Sequence, residues 1–332
     1  MRSWVLTGEP GRLLRLEDRP EPELGPGQVR VRMRAASLNY RDLLVADEPP
    51  RPGLVPLSDG AGEVVEVAAG VRNVRAGDRV AAGFFADWAS GPSRHANLAS
   101  ALGGDLDGVL SETAVFPASA VAKIPDALTF AEAATFPCAG VTAWHALAGF
   151  ESPAGTGDTV LALGSGGVAV FALQIARLRG ARFIGTTSSE AKRQRLRDLG
   201  ADTVIDYAAT PQWWQEARQV TGGHGADFVV ETGGAATLDQ SLRACARGGY
   251  VTLVGVLSGL AATADAALIQ SDELTFRSIY VGPLTMLDDV MQAFAGHGIR
   301  PVIDRSFGFG DAPAAFDHLR KARHIGKVVI EQ

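Results

Sequence analysis

The chain has 332 residues, 46% of them hydrophobic and 20% charged, a balance that excludes a disordered chain and a length that calls for two domains rather than one core. Its 31 basic and 37 acidic side chains leave a net charge of −6, without the basic face a nucleic-acid binder presents. Two cysteines, Cys138 and Cys245, exclude a disulfide framework and a four-cysteine zinc site, and no apolar run reaches signal-peptide length or the ~20 residues of a membrane span, which points to a cytoplasmic protein.

The first third reads as β structure. Residues 28–35 (QVRVRMRA) alternate apolar and polar side chains as a half-buried strand does, and strands at 62–68 and 79–82 follow near glycine turns. From about residue 123 short apolar strands alternate with helical stretches, the sign of βαβ units and a parallel sheet. Strands are predicted at 159–163, 182–187, 203–206, 227–231, 249–254 and 274–281, with helices at 168–179, 189–199, 211–220 and 236–246. Six strands with crossover helices fit a doubly wound dinucleotide-binding domain over 123–281. A helix at 284–295, a strand, a helix at 312–322 and a strand at 326–330 are too few for a third domain. They are expected to return and complete a first domain of residues 1–122 and 282–332.

The strongest local signal is the segment 159–181. Val160 to Leu163 form a continuous apolar strand, as expected where helices cover both faces of a sheet. Gly164, Ser165, Gly166 and Gly167 make the turn that lets backbone approach a pyrophosphate, and a helix starting near Val168 aims unpaired amides at it. The spacing is G-x-G-G-x-A, and the strand before and the helix after give it its weight. The next strand ends Thr186-Thr187-Ser188-Ser189-Glu190-Ala191-Lys192, with no acid at the tip. A carboxylate there would hold an adenosine ribose and repel a 2′-phosphate. Thr187, Ser188, Ser189 and Lys192 would accept one, so NADPH is expected over NADH. Glu190 either reaches a ribose hydroxyl or merely favours the following helix N-terminus.

Together with Asn39-Tyr40-Arg41-Asp42, PLSDGAGEVV at 56–65, AGDRV at 76–80, AATFPCAGVTAW at 133–144, LGAD at 199–202, IDY at 205–207 and GKVVI at 326–330, this loop resembles the medium-chain dehydrogenase/reductases, closest to their quinone-oxidoreductase-like branch. The resemblance implies an α/β architecture, with a GroES-like, β-rich substrate domain joined to a Rossmann domain. It also exposes departures. Zinc-dependent members carry a cysteine where this chain has Asn39 and a His-Glu pair where it has Ser58-Asp59, and only Cys138 is kept. That donor set is poor for zinc, so no metal is expected.

Without a metal a simple alcohol is a hard substrate, whereas a quinone or an α,β-unsaturated carbonyl needs hydrogen-bond donors for the charge that reaches its oxygen. Asn39 is the first candidate to touch substrate or the nicotinamide ribose, against a plain turn role. Tyr40 is either a proton donor or a buried aromatic, and Asp59 either a proton relay or a hydrogen-bonded relic. Phe85 and Trp88 lie where the family lines its substrate pocket, with ordinary core as the other reading, and Val281 is expected to border that pocket. The resemblance also implies that Thr142 contacts the cofactor, that Gly255, Val256 and Leu257 lie against nicotinamide, and that Tyr207 lies near the adenosine end. The leading expectation is an NADPH-dependent reductase of quinones or α,β-unsaturated carbonyls. The alternatives are a zinc-free alcohol or aldehyde oxidoreductase and a nucleotide-binding protein without turnover. The partners expected are a small-molecule substrate and a second copy of the chain, joined through an apolar edge strand at 274–281, with no nucleic acid and no membrane.

Overall fold

A computed structural model describes all residues of 1–332 except 10, 256, 260 and 262. The chain leaves one unit and returns to it: Met1–Val141 and Val281–Gln332 form the first, and Thr142–Tyr280 form the second. The sequence-based boundary at 122 therefore moves to 141. The segment in between packs back on the first unit. Arg79 donates to the Leu128 carbonyl, the Cys138 amide donates to Asp59, and Phe136 meets Phe294 edge-on at 5.1 Å.

The chain begins with a hairpin that the sequence reading passed over, β1 (Arg2–Glu9) and β2 (Arg12–Asp18). Then follow β3 (Gln28–Leu38), α1 (Tyr40–Asp47), β4 (Asp59–Val67), β5 (Arg79–Ala82), a short α2 (His95–Leu98), β6 (Thr113–Pro117), β7 (Val121–Lys123) and α3 (Phe130–Ala133). A π turn at Phe136–Gly140 leads into α4 (Val141–Ala148). The second unit continues with β8 (Thr159–Leu163), α5 (Gly167–Leu178), β9 (Arg182–Thr186), α6 (Glu190–Asp198), β10 (Thr203–Ile205), α7 (Trp213–Val220), β11 (Ala226–Glu231), α8 (Leu238–Ala244), β12 (Cys245–Leu253), α9 (Ala266–Ser271) and β13 (Thr275–Ser278). The return supplies α10 (Leu284–Gly296), β14 (Ile303–Gly308), α11 (Ala312–Arg320) and β15 (Lys327–Glu331).

In the first unit the strand order is β14-β15-β3-β4-β5-β7, with β6 also on β3. The alternation seen in the sequence sets the faces of β3. Val29, Val31 and Met33 are buried in the core, while Arg30 and Arg34 pair with Glu66 and Glu63 outside it. In the second unit a parallel sheet runs β10-β9-β8-β11-β12-β13, the doubly wound order, and all five residues of β8 at its centre are buried. The edge strand is shorter than expected. β13 spans four residues rather than the eight of 274–281, and both its ends, Thr275 and Ser278, are exposed. Three residues past its end Val281 takes a left-handed φ of 55°, which is incompatible with a strand running to residue 281.

Candidate active site

Three strand ends meet at one edge of the first unit's sheet. Antiparallel pairing sets Ser37 of β3 opposite Asp59 at the start of β4, and Leu38 opposite Val328 on β15. Asn39, one residue past β3, and Lys327, the first residue of β15, are thereby brought to Asp59. The Lys327 side chain is 2% exposed, its ammonium donating to Leu38 O at 2.7 Å and to Asn39 Oδ1, and lying 3.6 Å from Asp59 Oδ2. Burying a lysine costs several kcal/mol unless its charge is matched, and Asp59 matches it. Asp59 is itself fully buried. Its Oδ1 accepts Ser58 Oγ–H at 2.7 Å and its Oδ2 accepts the Cys138 amide at 3.1 Å. Burial pushes the Cys138 thiol well above its ordinary range, and the Asp59 charge adds to the effect.

Backbone geometry holds the Ser58–Asp59 pair. Leu57 is buried in the left-handed region at φ 73°, and a Cβ at Gly108 would stand 2.2 Å from Leu57 O, so only glycine lets that strained turn be clamped. Asn39 occupies the N-cap of α1, where the Asp42 carboxylate accepts its backbone N–H at 2.7 Å. Arg41 fixes Asp42 from the other side at 3.2 Å and lies over the Phe84 ring at 5.0 Å. Burial pushes the Asp42 carboxyl up to about 6 against the opposing charge of Arg41. The Asn39 carboxamide oxygen goes to Lys327, while Nδ2 is buried with no hydrogen-bond partner among the described residues.

The second unit holds a cradle of different make. Gly164 follows β8 at φ 82°, its amide donating to Thr186 O at 3.0 Å, and a Cβ on Gly166, the N-cap of α5, would project into open space. The start of α5 thus presents first-turn amides, which a helix leaves without intrahelical partners, beside a surface stripped of side chains, which fits a pyrophosphate. At the neighbouring tip Ser189 caps α6 and Ser188 Oγ donates to the Tyr207 hydroxyl at 3.1 Å, so two predicted residues from different strands do meet. Both acids near this tip are engaged. Arg193 pairs with Glu190 and lies 3.2 Å from Asp206. Glu190 is thus paired within its own helix, its side chain largely exposed.

Other expected site residues fall outside these two clusters. Tyr40 is 44% exposed and shares the outer face of α1 with exposed Leu44 and Asp47, apart from the buried cluster. Phe85 and Trp88 are both buried, their rings 5.7 Å apart and the Trp88 indole N–H bonded to Gly91 O. Gly255 is glycine because a Cβ there would strike Thr232 O at 1.8 Å, while Leu257 is exposed and Val256 lies outside the described residues. Thr142 is buried on α4. Val281 is buried at the point where the chain re-enters the first unit. Lys327 was not foreseen. The available signal was a lysine opening an otherwise apolar run, KVVI, which should have been read as a buried, partnered cation.

Residues 25–126 match the family described as alcohol dehydrogenase GroES-like domain, and residues 167–296 match zinc-binding dehydrogenase. A zinc-type alcohol dehydrogenase-like protein of Schizosaccharomyces pombe is 39% identical over 93% of this chain and 92% of its own length. The chain belongs to the medium-chain dehydrogenase/reductase superfamily. It has the superfamily's GroES-like and Rossmann parts, and its reaction class is that of an oxidoreductase. An NAD-dependent alcohol dehydrogenase superimposes with a TM-score of 0.89 at 32% identity, covering 100% of both chains. A 2-octenoyl-CoA carboxylase reductase bound to NADP and 2-octenoyl-CoA superimposes at 0.88 with 25% identity, covering 99% of this chain and 87% of the other.

The family's name implies zinc, and the donors present do not suit it. A carboxamide, a hydroxyl given to Asp59, the Asp59 carboxylate paired with Lys327, and one thiol stand at the ligand positions, and the Lys327 ammonium takes the carboxamide oxygen. Among the described residues no group of three or more His, Cys, Asp and Glu side chains is placed to hold a metal ion.

Proposed function

We propose that this chain is a metal-free, NADPH-dependent reductase of α,β-unsaturated carbonyls or quinones. The observation that carries the reading is the buried Asn39 Nδ2, without a partner among the described residues, standing at a zinc-ligand position beside a charge-matched Lys327–Asp59 pair. A medium-chain reductase must stabilise the oxygen of its substrate. With an amide donor in place of a Lewis acid, the favoured substrate is one whose negative charge is spread by conjugation. When bound, NADPH supplies the hydride. Gly164, Gly166 and the first turn of α5 would hold its pyrophosphate, and Ser188, Tyr207 and Lys192 would receive the 2′-phosphate. Arg193 partly offsets the charge of Glu190 and Asp206, the two carboxylates near that phosphate position. The structural relative carrying NADP and an unsaturated thioester supports the same choice of substrate class.

Steady-state assays of protein purified without added metal test this, using crotonaldehyde, para-benzoquinone and n-butanol, each with both nicotinamide cofactors. The expected result is NADPH oxidation with one of the first two and none of the reverse reaction on n-butanol. One zinc per chain by elemental analysis, together with n-butanol oxidation that chelation abolishes, would replace this reading with that of an alcohol dehydrogenase.

A further inference from the structure

Asn39 could meet a substrate with either end of its carboxamide, and the two ends have opposite chemistry. The oxygen accepts hydrogen bonds and the nitrogen donates them. The inner end of the amide contacts the Lys327 ammonium, and two further groups share the ammonium's surroundings. Leu38 O and Asp59 Oδ2 are acceptors, and the Lys327 ammonium, 2.7 Å from the first and 3.6 Å from the second, is a donor with no acceptor capacity. An ammonium can take only the amide oxygen, and it does. Were the ammonium missing, the two acceptors would favour the inverted carboxamide, with Nδ2 turned in toward them and Oδ1 left as the free end. That end would repel the oxygen of a carbonyl substrate.

We infer that Lys327 is a positioning residue that fixes the Asn39 carboxamide with its donor end free, so that the site accepts ligands offering a hydrogen-bond acceptor, namely a carbonyl, quinone, enolate or phenolate oxygen. The inference deepens the proposed reductase activity and rests on it for the identity of the substrate, though not for the orientation of Asn39. The supports are independent of each other. Lys327 is nearly inaccessible, its ammonium donates to a backbone carbonyl and to the amide oxygen and is ion-paired with a carboxylate 3.6 Å away, and the buried Nδ2 has no partner within the described protein. Asn39 also sits at the N-cap of α1, and its side-chain oxygen is bonded by a lysine 288 residues away. Asp59 balances the lysine, so the buried cluster orients the amide without leaving an unmatched charge beside it.

The test uses the full chain as wild type, Lys327→Met, Lys327→Arg and Asn39→Leu, with para-nitrophenol as the probe because its ionised form is visible. Wild type is expected to bind the phenolate in preference to the phenol and so lower the apparent pKa of the bound dye. Lys327→Met should weaken phenolate binding about tenfold and cut kcat for crotonaldehyde about 100-fold, as loss of one oriented donor does, with KM little changed. NADPH affinity, read by nicotinamide fluorescence, should be unaffected. Lys327→Arg, also donor-only, should recover kcat to within about tenfold of wild type. A folded Lys327→Met protein with wild-type kcat and wild-type dye shift overturns the inference, as does one that loses NADPH affinity in parallel with everything else. If Lys327→Met does not fold, Asn39→Leu decides. Loss of the dye shift supports the inference, and its retention shows that no amide donor was there to orient. A wild-type protein that reduces neither crotonaldehyde nor para-benzoquinone, yet shows a dye shift that Lys327→Met abolishes, would sink the reductase reading and leave the orientation of Asn39 standing.

Discussion

The two clusters that carry chemistry are built in opposite ways. The cradle of the second unit comes mainly from one continuous stretch, β8 into α5, and works through backbone amides and the absence of side chains at Gly164 and Gly166. The cluster of the first unit comes from three strand ends, works through buried charged side chains, and joins Asn39 to a residue 288 positions later. A site made of backbone tolerates change around it but not a Cβ inside it. A site made of matched charges depends on every member, because removing one strands another.

The largest expected effect lies in the charge cluster. Asp59→Leu leaves the Lys327 ammonium buried without its carboxylate and should lower the unfolding free energy by about 3 kcal/mol or more, measured by urea denaturation. The matching change in the cradle, Ser188→Ala at an exposed hydroxyl, should cost less than about 0.5 kcal/mol. Equal losses in the two variants would break the contrast. In the other direction, Gly166→Val places a branched side chain in the open space at the α5 N-terminus. It should weaken NADPH binding about 100-fold while leaving the para-nitrophenolate shift intact.

A pH experiment sharpens the contrast further. Burial raises the Asp42 carboxyl from 3.8 to about 6, so the folded chain holds a proton there over a range in which the unfolded chain has released it. Stability from this group is therefore present below 3.8 and is lost as pH rises to about 6. Asp42→Asn removes the dependence. Relative to that variant, wild type should lose on the order of 2 kcal/mol across the window, seen in parallel urea titrations. A constant difference between the two would mean that Asp42 stays ionised throughout. The smallest effect concerns cofactor choice. Ser188→Ala with Tyr207→Phe should reduce the preference for NADPH over NADH about threefold to tenfold in fluorescence titrations, and an unchanged ratio would move 2′-phosphate recognition away from this hydroxyl pair.

The same contrast explains what was legible in the sequence. The cradle could be read because its determinants are local. An apolar strand, three glycines and a helix sit within 159–178, and the hydroxyl tip follows at the end of the next strand. Asn39, Asp59 and Cys138 were reached through family motifs, and the structure does bring them together. Lys327 stands in the GKVVI motif and opens an apolar run that marks it as buried, but its partners depend on the antiparallel register that sets Val328 beside Leu38, a pairing nothing local encodes. The same limit applies to Phe85 and Trp88, where the motif alone does not tell pocket lining from core and the structure buries both rings. The edge strand was overread because Leu274, Ile279 and Val281 look like strand formers, while the left-handed turn at Val281 is set by the chain's re-entry into the first unit.

The most direct test of the account is where the hydride lands. Metal-depleted protein would be given NADPH deuterated at the transferring position together with crotonaldehyde, and the product examined by NMR. The account predicts deuterium on the β-carbon of a saturated aldehyde, with the carbonyl preserved. Deuterium on the carbonyl carbon of an allylic alcohol, or turnover only after zinc is added, would contradict it.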